Sequence, residues 1–260
     1  MSGKFLLIKK CFNLVPNIQP MNLLKTNPNI VYATSKKEDG NMSFKWGEIE
    51  EVIRNRKTFL EKNGFHLEDC VVMQVEHGEK IVIVDSSSKN TLTEFAISAD
   101  ALITKEKNLT LFLLTADCLP ITLYDPKNEV IALAHLGWKP TDLKLIVKVI
   151  EELKNKFGSD PIELIAHIGP GIHKESYIFK NLTQKNSPEW LPFLEDIPSG
   201  ETKIDLVGYN RAQMLAAGLL EDNIFIDSAD TAISDEYYSH YRSVRMGEKE
   251  GRFATVLTLK

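Results

Sequence analysis

The chain has 260 residues, of which 43% are hydrophobic and 26% are charged, and its net charge is -5. A chain of this length can bury a large core, so we expect one globular domain over residues 1–260. The mild negative charge argues against a dedicated nucleic-acid binder, because phosphate binding needs clustered Lys and Arg. The longest apolar run, near residues 109–123, is interrupted by polar residues and Pro120, which argues against a membrane-spanning helix.

The cysteines and the N-terminus bear on the compartment. The first residues lack the apolar core of a signal peptide, so we expect a cytoplasmic protein that does not act on membranes. The three cysteines, Cys11, Cys70 and Cys118, are odd in number and lack the spacing of a disulfide framework. In a reducing compartment each is therefore expected to be a thiol unless it binds a metal.

Apolar spacing predicts alternating strands and helices along the chain. The first half shows strands at 5–12 and 30–33, a helix at 47–62, and strands at 70–75, 80–84, 101–104, 110–116 and 121–124. The second half shows a strand at 130–135, a helix at 141–157, a strand at 162–168, a helix at 206–220, and strands at 224–226 and 253–259. Several strands are joined by short turns, which predicts an α/β protein of the α+β type, with helices packed on a mixed sheet.

Three soft metal ligands each follow or end an apolar run. Cys118 lies in the segment TADCLP, His135 lies in AHLGW, and His77 precedes Gly78 in a predicted turn. A thiolate and two imidazoles from separate elements suit one zinc ion with an open fourth position, as in catalytic zinc sites. Taken singly, Cys118 and His135 are more typical of core residues, and His77 is typical of a turn. The prediction therefore depends on the three residues meeting.

Two neighbouring features have alternative interpretations. Asp117 either accepts a hydrogen bond from a backbone amide, as a turn cap does, or orients a ligand imidazole. The aromatic segment YYSHYR at residues 237–242 is either a base-stacking wall with a phosphate contact or an amphipathic edge strand.

The order and spacing of these segments resemble the laccase-domain, or multicopper polyphenol oxidase-like, family. The resemblance covers most of the chain and is carried by Asn55-Arg56, His77-Gly78, ADALIT at 99–104, TADCLP, AHLGW, IGPGI at 168–172 with Tyr177, Tyr238-Ser239 with Arg242, and Gly251-Arg252. Members of this family are mostly described as zinc-dependent purine nucleoside phosphorylases with adenosine deaminase activity. Their fold is similar to that of toxin deamidase domains.

The resemblance implies roles for particular residues. His77, Cys118 and His135 would bind the metal, Arg56 would hold phosphate or substrate, and the loop from Asn41 to Ser43 would contact the nucleoside. The implied reactions are phosphorolysis of adenosine, inosine, guanosine and methylthioadenosine, and hydrolytic deamination of adenosine. The chain departs from the usual family pattern near the site, at Glu76, Lys139-Pro140, His173, Ile178 and Asp230.

Three alternatives remain open. A copper-dependent polyphenol oxidase would match the family's older name, but the ligand segments lack the His-x-His pairs of a trinuclear cluster and a clear axial Met. A cysteine hydrolase would use Cys118 as a nucleophile activated by a histidine. A non-catalytic zinc-binding partner protein would keep the metal site and lose the reaction.

Overall fold

The computed structural model describes residues 27–90 and 96–260, so the predicted strand at 5–12 and Cys11 lie outside the described residues. In chain order the helices and strands are β1 (Ile30–Thr34), α1 (Ile49–Lys62), β2 (Cys70–Gln74), β3 (Ile81–Ile83), β4 (Ile97–Ser98), β5 (Ala101–Thr104), β6 (Thr110–Thr115), β7 (Leu119–Asp125), β8 (Val130–Leu136), α2 (Trp138–Asp142), α3 (Leu145–Phe157), β9 (Ile165–Ile168), β10 (Ile178–Phe179), β11 (Leu194–Asp196), β12 (Thr202–Ile204), α4 (Leu206–Ala216), β13 (Ile224–Ile226), α5 (His240–Met246) and β14 (Phe253–Leu259).

The strands form two large mixed sheets and one small sheet. The five-stranded sheet has the order β1-β14-β6-β2-β4, and the six-stranded sheet has the order β13-β9-β7-β8-β5-β3. β7 and β8 form an antiparallel hairpin in which Pro120 lies opposite His135. Strands β10, β12 and β11 form the small antiparallel sheet. The predicted α/β class with mixed sheets is confirmed.

Alternation of side chains along the strands builds the core between the layers. In β14, Leu257 and Leu259 pack with residues of the six-stranded sheet, such as Leu133, in one buried cluster. Their neighbours in the same strand, such as Val256, pack on the other face with Phe59 of α1. The spacing of two residues between side chains on one face explains this division.

The outer face of the six-stranded sheet is covered by α3 and α4, which contribute Val149, Leu153 and Met214 to a second cluster. The two sheets therefore pack face to face. Helix α1 covers the outer face of the five-stranded sheet, and α3 and α4 cover that of the six-stranded sheet. Among the described residues, no helix combines the length and apolar character needed to cross a membrane.

Four predicted elements differ from the structure. The helix predicted at 206–220 ends at Ala216. The helix predicted at 141–157 is two helices, because Lys144 adopts a left-handed conformation with φ of 59° between α2 and α3. The strand predicted at 162–168 starts only at Ile165, since Asp160 and Pro161 begin a 3₁₀ helix. The edge strand considered for 237–242 is wrong: residues 237–239 form no strand, and Ser239 accepts a hydrogen bond from the Arg242 backbone and caps α5, which begins at His240.

Replacement of Leu257 by Ala tests the interface between the sheets. Leu257 is fully buried, and removal of a buried leucine side chain leaves a cavity that costs about 2–5 kcal/mol of unfolding free energy. The measurement is urea unfolding followed by circular dichroism. Leu220→Ala is the matched control, since Leu220 is 52% exposed and its loss is expected to cost under about 0.5 kcal/mol. Equal destabilisation by the two changes would contradict the assigned packing.

Candidate metal centre

The three predicted ligands come from three different positions in the fold. His77 lies in the connection from β2 to β3, Cys118 lies in the connection from β6 to β7, and His135 is inside β8. Their ligand atoms all lie within 4.8 Å of one another. The two imidazole rings meet edge to face, with centroids 4.7 Å apart and planes at 86°. The structure therefore brings together the three side chains that the sequence singled out.

Asp100 fixes two of these residues through one carboxylate. Its Oδ1 accepts hydrogen bonds from the His77 backbone at 2.9 Å and from His135 Nδ1 at 3.0 Å, and its Oδ2 accepts from the Gly78 backbone at 2.8 Å. Because Nδ1 of His135 is occupied, its Nε2 is the nitrogen available to a metal. Burial raises the pKa of Asp100, but these hydrogen bonds outweigh it and hold the pKa below its ordinary value.

Asp117 has a different task from orienting an imidazole. Its Oδ1 accepts a hydrogen bond from Thr231 Oγ1 at 2.7 Å, and its Oδ2 accepts one from the Tyr241 backbone at 2.6 Å. Asp117 itself has a left-handed φ of 81°. The interpretation of Asp117 as an acceptor for a backbone amide is thus correct, and its interpretation as a residue that orients a ligand imidazole is wrong. Asp117 therefore ties the start of α5 to the segment that carries Cys118.

The donor set fits a borderline-soft divalent ion such as zinc. Two imidazoles and one thiol are ligands that zinc accepts, and three protein ligands leave a position open for a reactant. Gly137 leaves space for the Cys118 thiol, since a Cβ on residue 137 would lie 2.8 Å from Cys118 Sγ. His77 is exposed, Cys118 is half-buried and His135 is buried, so the group borders solvent on one side only.

The charges inside the group favour a thiolate. Burial raises the pKa of Cys118, yet attraction to His135 and hydrogen bonds with both histidines lower it below the ordinary value of a thiol. Burial lowers the pKa of His135, but the negative sulfur and Asp100 raise it overall. A metal requires the deprotonated forms of both side chains, and the thiolate is already favoured before an ion binds.

Two cavities meet at the ligands. One, of about 470 Å³, is lined by the aromatic side chains Trp138, Tyr177, Phe179 and Tyr241, together with polar groups such as Lys180 and Gln184. The other, of about 680 Å³, carries the cations Lys45, Arg56 and Arg252. Four residues line both cavities: His77, Ala116, Cys118 and His240. The arrangement offers space for an aromatic group on one side and an anion on the other.

Arg56 faces the larger cavity from a buried position. Its Nε donates to the Met42 carbonyl at 2.9 Å, and its guanidinium lies 4.3 Å from the centre of the Phe44 ring. Among the described residues no carboxylate forms an ion pair with it, which leaves N–H groups free for an anion. Burial lowers the pKa of Arg56 to about 10, with a smaller opposing effect of Cys70, so the group stays charged at neutral pH.

Asn41 and Ser43 differ in position. The Asn41 side chain is engaged with the backbone, donating to the Ser43 carbonyl at 2.8 Å and accepting from the Ser43 and Arg252 amides. Ser43 lines the larger cavity. Asn41 therefore stabilises the conformation of the loop, and Ser43 is the loop residue that lines the cavity.

The aromatic segment 237–242 divides between core and cavity. Tyr237 packs edge-on against Phe253 in the interior. Arg242 donates to the Ser234 and Tyr237 carbonyls and pairs with Glu248, so it makes no contact suited to phosphate. Only His240 and Tyr241 reach the cavities.

The residues that depart from the family pattern lie around the site and not in it. None belongs to the metal-ligand group or lines either of the two cavities: Glu76, Lys139, Pro140, His173, Ile178 and Asp230. Asp230, for example, caps a turn by accepting from the Ala232 backbone and from Ser176.

Sequence reasoning missed two residues of the site. Asp100 was visible only as one member of the segment ADALIT. An acidic residue directly before an apolar strand is costly to bury, however, and therefore indicates that hydrogen-bond donors lie nearby. His240 was visible as a histidine in an aromatic segment, but only the fold shows that it stands between two cavities.

Comparison with known proteins gives consistent matches. A family model described as multi-copper polyphenol oxidoreductase laccase matches residues 31–260. A purine nucleoside phosphorylase of Bacteroides thetaiotaomicron is 30% identical over 216 residues, covering 79% of this chain and 78% of the relative. An adenosine deaminase, RL5, from an unknown prokaryotic organism is 27% identical over 213 residues, covering 78% and 80%.

A solved structure shows the same fold. The crystal structure of YlmD from Geobacillus stearothermophilus aligns with a TM-score of 0.82 at 25% identity. The alignment covers 90% of this chain and 93% of that structure. The two-sheet architecture described above is thus shared over nearly the whole of both chains.

Replacement of Asp100 by Asn tests how the ligands are held. The amide lacks the charge and one acceptor oxygen, so either His135 or a turn amide loses its partner, and zinc affinity is expected to fall about 10- to 100-fold. Zinc affinity is measured by competition with a chromogenic chelator. Asp125→Asn is the control, because Asp125 is equally buried and accepts three hydrogen bonds, yet lines neither cavity. Equal affinities in the two variants would contradict this role.

Proposed function

We propose that this chain, which belongs to the multi-copper polyphenol oxidoreductase laccase family, is a zinc-dependent purine nucleoside phosphorylase with adenosine deaminase activity. The observation that carries the proposal is the position of the His77, Cys118 and His135 group at the junction of an aromatic and a cationic cavity. In phosphorolysis, the phosphate anion attacks the sugar carbon C1′, from which the aromatic base departs. The two substrates must therefore meet at that carbon. The relatives named above support this choice of substrates.

His77, Cys118 and His135 would hold the zinc ion. When bound, zinc supplies a Lewis acid that stabilises developing negative charge beside the reacting group. Asp100 presents the His135 ring in a fixed tautomer, and the thiolate of Cys118 reduces the charge of the site. A sulfur ligand makes the centre a milder acid than three imidazoles would, so we expect modest turnover.

The two cavities would divide the substrates. The purine would lie against Tyr177, Phe179 and Tyr241, whose rings offer faces and edges for stacking. Phosphate would enter the larger cavity, where Arg56 and Arg252 supply positive charge. Ser43, on the loop held by Asn41, lines this larger cavity and would contact the sugar of the nucleoside where it faces the phosphate. Phosphorolysis then needs only that phosphate and the sugar approach each other at the shared wall.

A cysteine hydrolase is the second candidate, and one observation favours it. The lowered pKa of Cys118 beside two imidazoles is also how cysteine nucleophiles are activated. Such an enzyme needs no metal. Activity that persists in the presence of a strong chelator would support it over the zinc enzyme.

Copper chemistry of the laccase type has less support. It needs several copper sites with many histidines, whereas the described residues gather one group of three ligands. A single copper ion in this group would remain an alternative occupant, and metal analysis separates the two ions. A non-catalytic zinc protein would contain zinc and turn over no nucleoside.

One experiment tests the proposal directly. The purified protein is analysed for metals and then assayed with adenosine, inosine, guanosine and methylthioadenosine, with and without phosphate. We expect about one zinc per chain, phosphate-dependent release of the free base, and phosphate-independent deamination of adenosine. Chelation should abolish both activities and zinc should restore them. Full activity without metal, or full metal content and full activity in Cys118→Ala, would refute it.

Replacement of Arg56 by Met tests the phosphate position. Loss of a charged hydrogen-bond donor costs about 1.5–3 kcal/mol, so the KM for phosphate should rise about tenfold or more. Adenosine deamination uses no phosphate and should keep its rate, which separates this effect from misfolding. Arg54→Met is the matched control, because Arg54 is on the same helix and exposed. An unchanged KM for phosphate in Arg56→Met would exclude the assigned role.

A further inference from the structure

His240 has a position that the metal group and the phosphate-binding cations do not explain. It is the first residue of α5, and it is one of four residues that line both cavities. Two of the others, His77 and Cys118, belong to the metal group, and the third, Ala116, has no reactive side chain. His240 is therefore the one proton-carrying side chain on the shared wall outside the metal group, within the residues that the structure describes.

Neighbouring residues hold the His240 ring in a defined orientation. Its Nδ1 lies 3.2 Å from one carboxylate oxygen of Glu250 and 3.3 Å from the other. Glu250 also accepts a hydrogen bond from Arg252 Nη1 at 2.5 Å. Since Nδ1 is directed to Glu250, Nε2 is the nitrogen left for a reactant. The backbone of the next residue, Tyr241, is tied to Asp117, which fixes this end of α5 beside Cys118.

Glu250 places a carboxylate beside Nδ1 of His240. Burial raises the pKa of Glu250, but its hydrogen bonds, which include those with Arg252 and His240, lower it, so the carboxylate is negative at neutral pH. An imidazolium paired with this carboxylate through Nδ1 would carry its second proton on Nε2, the nitrogen left for a reactant. The His240 side chain is 58% exposed, so a proton that leaves it can be replaced from solvent.

Other groups on the cavity walls are less suited to give a proton. Asp117 uses both carboxylate oxygens in hydrogen bonds to Thr231 and Tyr241. Burial raises the pKa of Tyr177 far above that of a group that gives protons at neutral pH, with smaller contributions of Cys118 and Asp117. Lys180 lines only the aromatic cavity, away from the cationic one.

We propose that His240 is a catalytic residue that protonates the departing purine, with Glu250 as its positioning residue. This inference rests on the proposed phosphorolysis. A phosphate oxygen forms a bond to the sugar C1′ as the bond from C1′ to the purine N9 breaks. The electron pair of that bond passes to the purine, and the Nε2 proton of His240 passes to a purine nitrogen. The products are ribose 1-phosphate and a neutral base, and His240 regains its proton from water.

The test uses the leaving group itself. Inosine needs a proton on its departing base, whereas 7-methylinosine already carries a positive purine and leaves without one. Loss of a general acid costs about 100-fold in rate or more. We expect His240→Gln to lower kcat with inosine by about that factor and to leave kcat with 7-methylinosine close to that of the unmodified protein. Glu250→Gln should show the same selectivity with a smaller loss.

Controls separate this role from structure and from the proposed function. His66→Gln makes the same change at an exposed histidine that lines neither cavity, and it should alter neither rate. Equal losses with both substrates, loss of zinc, or an unchanged rate with inosine in His240→Gln would overturn the inference while the phosphorylase assignment stands. No phosphorolysis by the unmodified zinc-loaded protein would overturn both together.

Discussion

The carboxylate of Asp100 is the interaction on which the site depends. It accepts three hydrogen bonds, two from the turn that carries His77 and one from the ring of His135. A buried carboxylate is costly without such partners, so the requirement acts in both directions: the turn and the ring hold Asp100, and Asp100 holds them. The His77 backbone has a left-handed φ of 55°, a conformation that non-glycine residues adopt at a cost and that fixed hydrogen bonds can maintain.

The β7–β8 hairpin brings the remaining ligand into place. Pro120 lies opposite His135 in the antiparallel register, so Cys118, two residues before Pro120, is close to the His135 ring. Gly137, two residues after His135, leaves space for the sulfur. Short-range pairing therefore sets the distance between Cys118 and His135, whereas the link to His77 needs the longer-range contact with Asp100.

Sequence could predict those parts of the site that depend on residue type at the ends of apolar runs. Cys118, His135 and His77 were recognisable because soft ligands follow buried strands, and the order of segments identified the family. The break at Lys144 was not predictable, since apolar spacing continues across it and only a single left-handed residue separates α2 from α3. Asp100 and His240 were missed because their roles depend on partners outside their own segments. No local pattern records that Glu250 lies beside His240 or that two cavities share one wall.

The position of the ligands relative to the two sheets has a mechanical consequence. His77 and Cys118 both lie where the chain passes from the five-stranded to the six-stranded sheet, and His135 belongs to the six-stranded sheet itself. An ion held by all three would bridge the crossing segments at one end of the sandwich and resist shear between its layers. Since the apolar interface fastens the layers elsewhere, loss of the ion would loosen that end alone, and local hydrogen exchange would report it before global unfolding does.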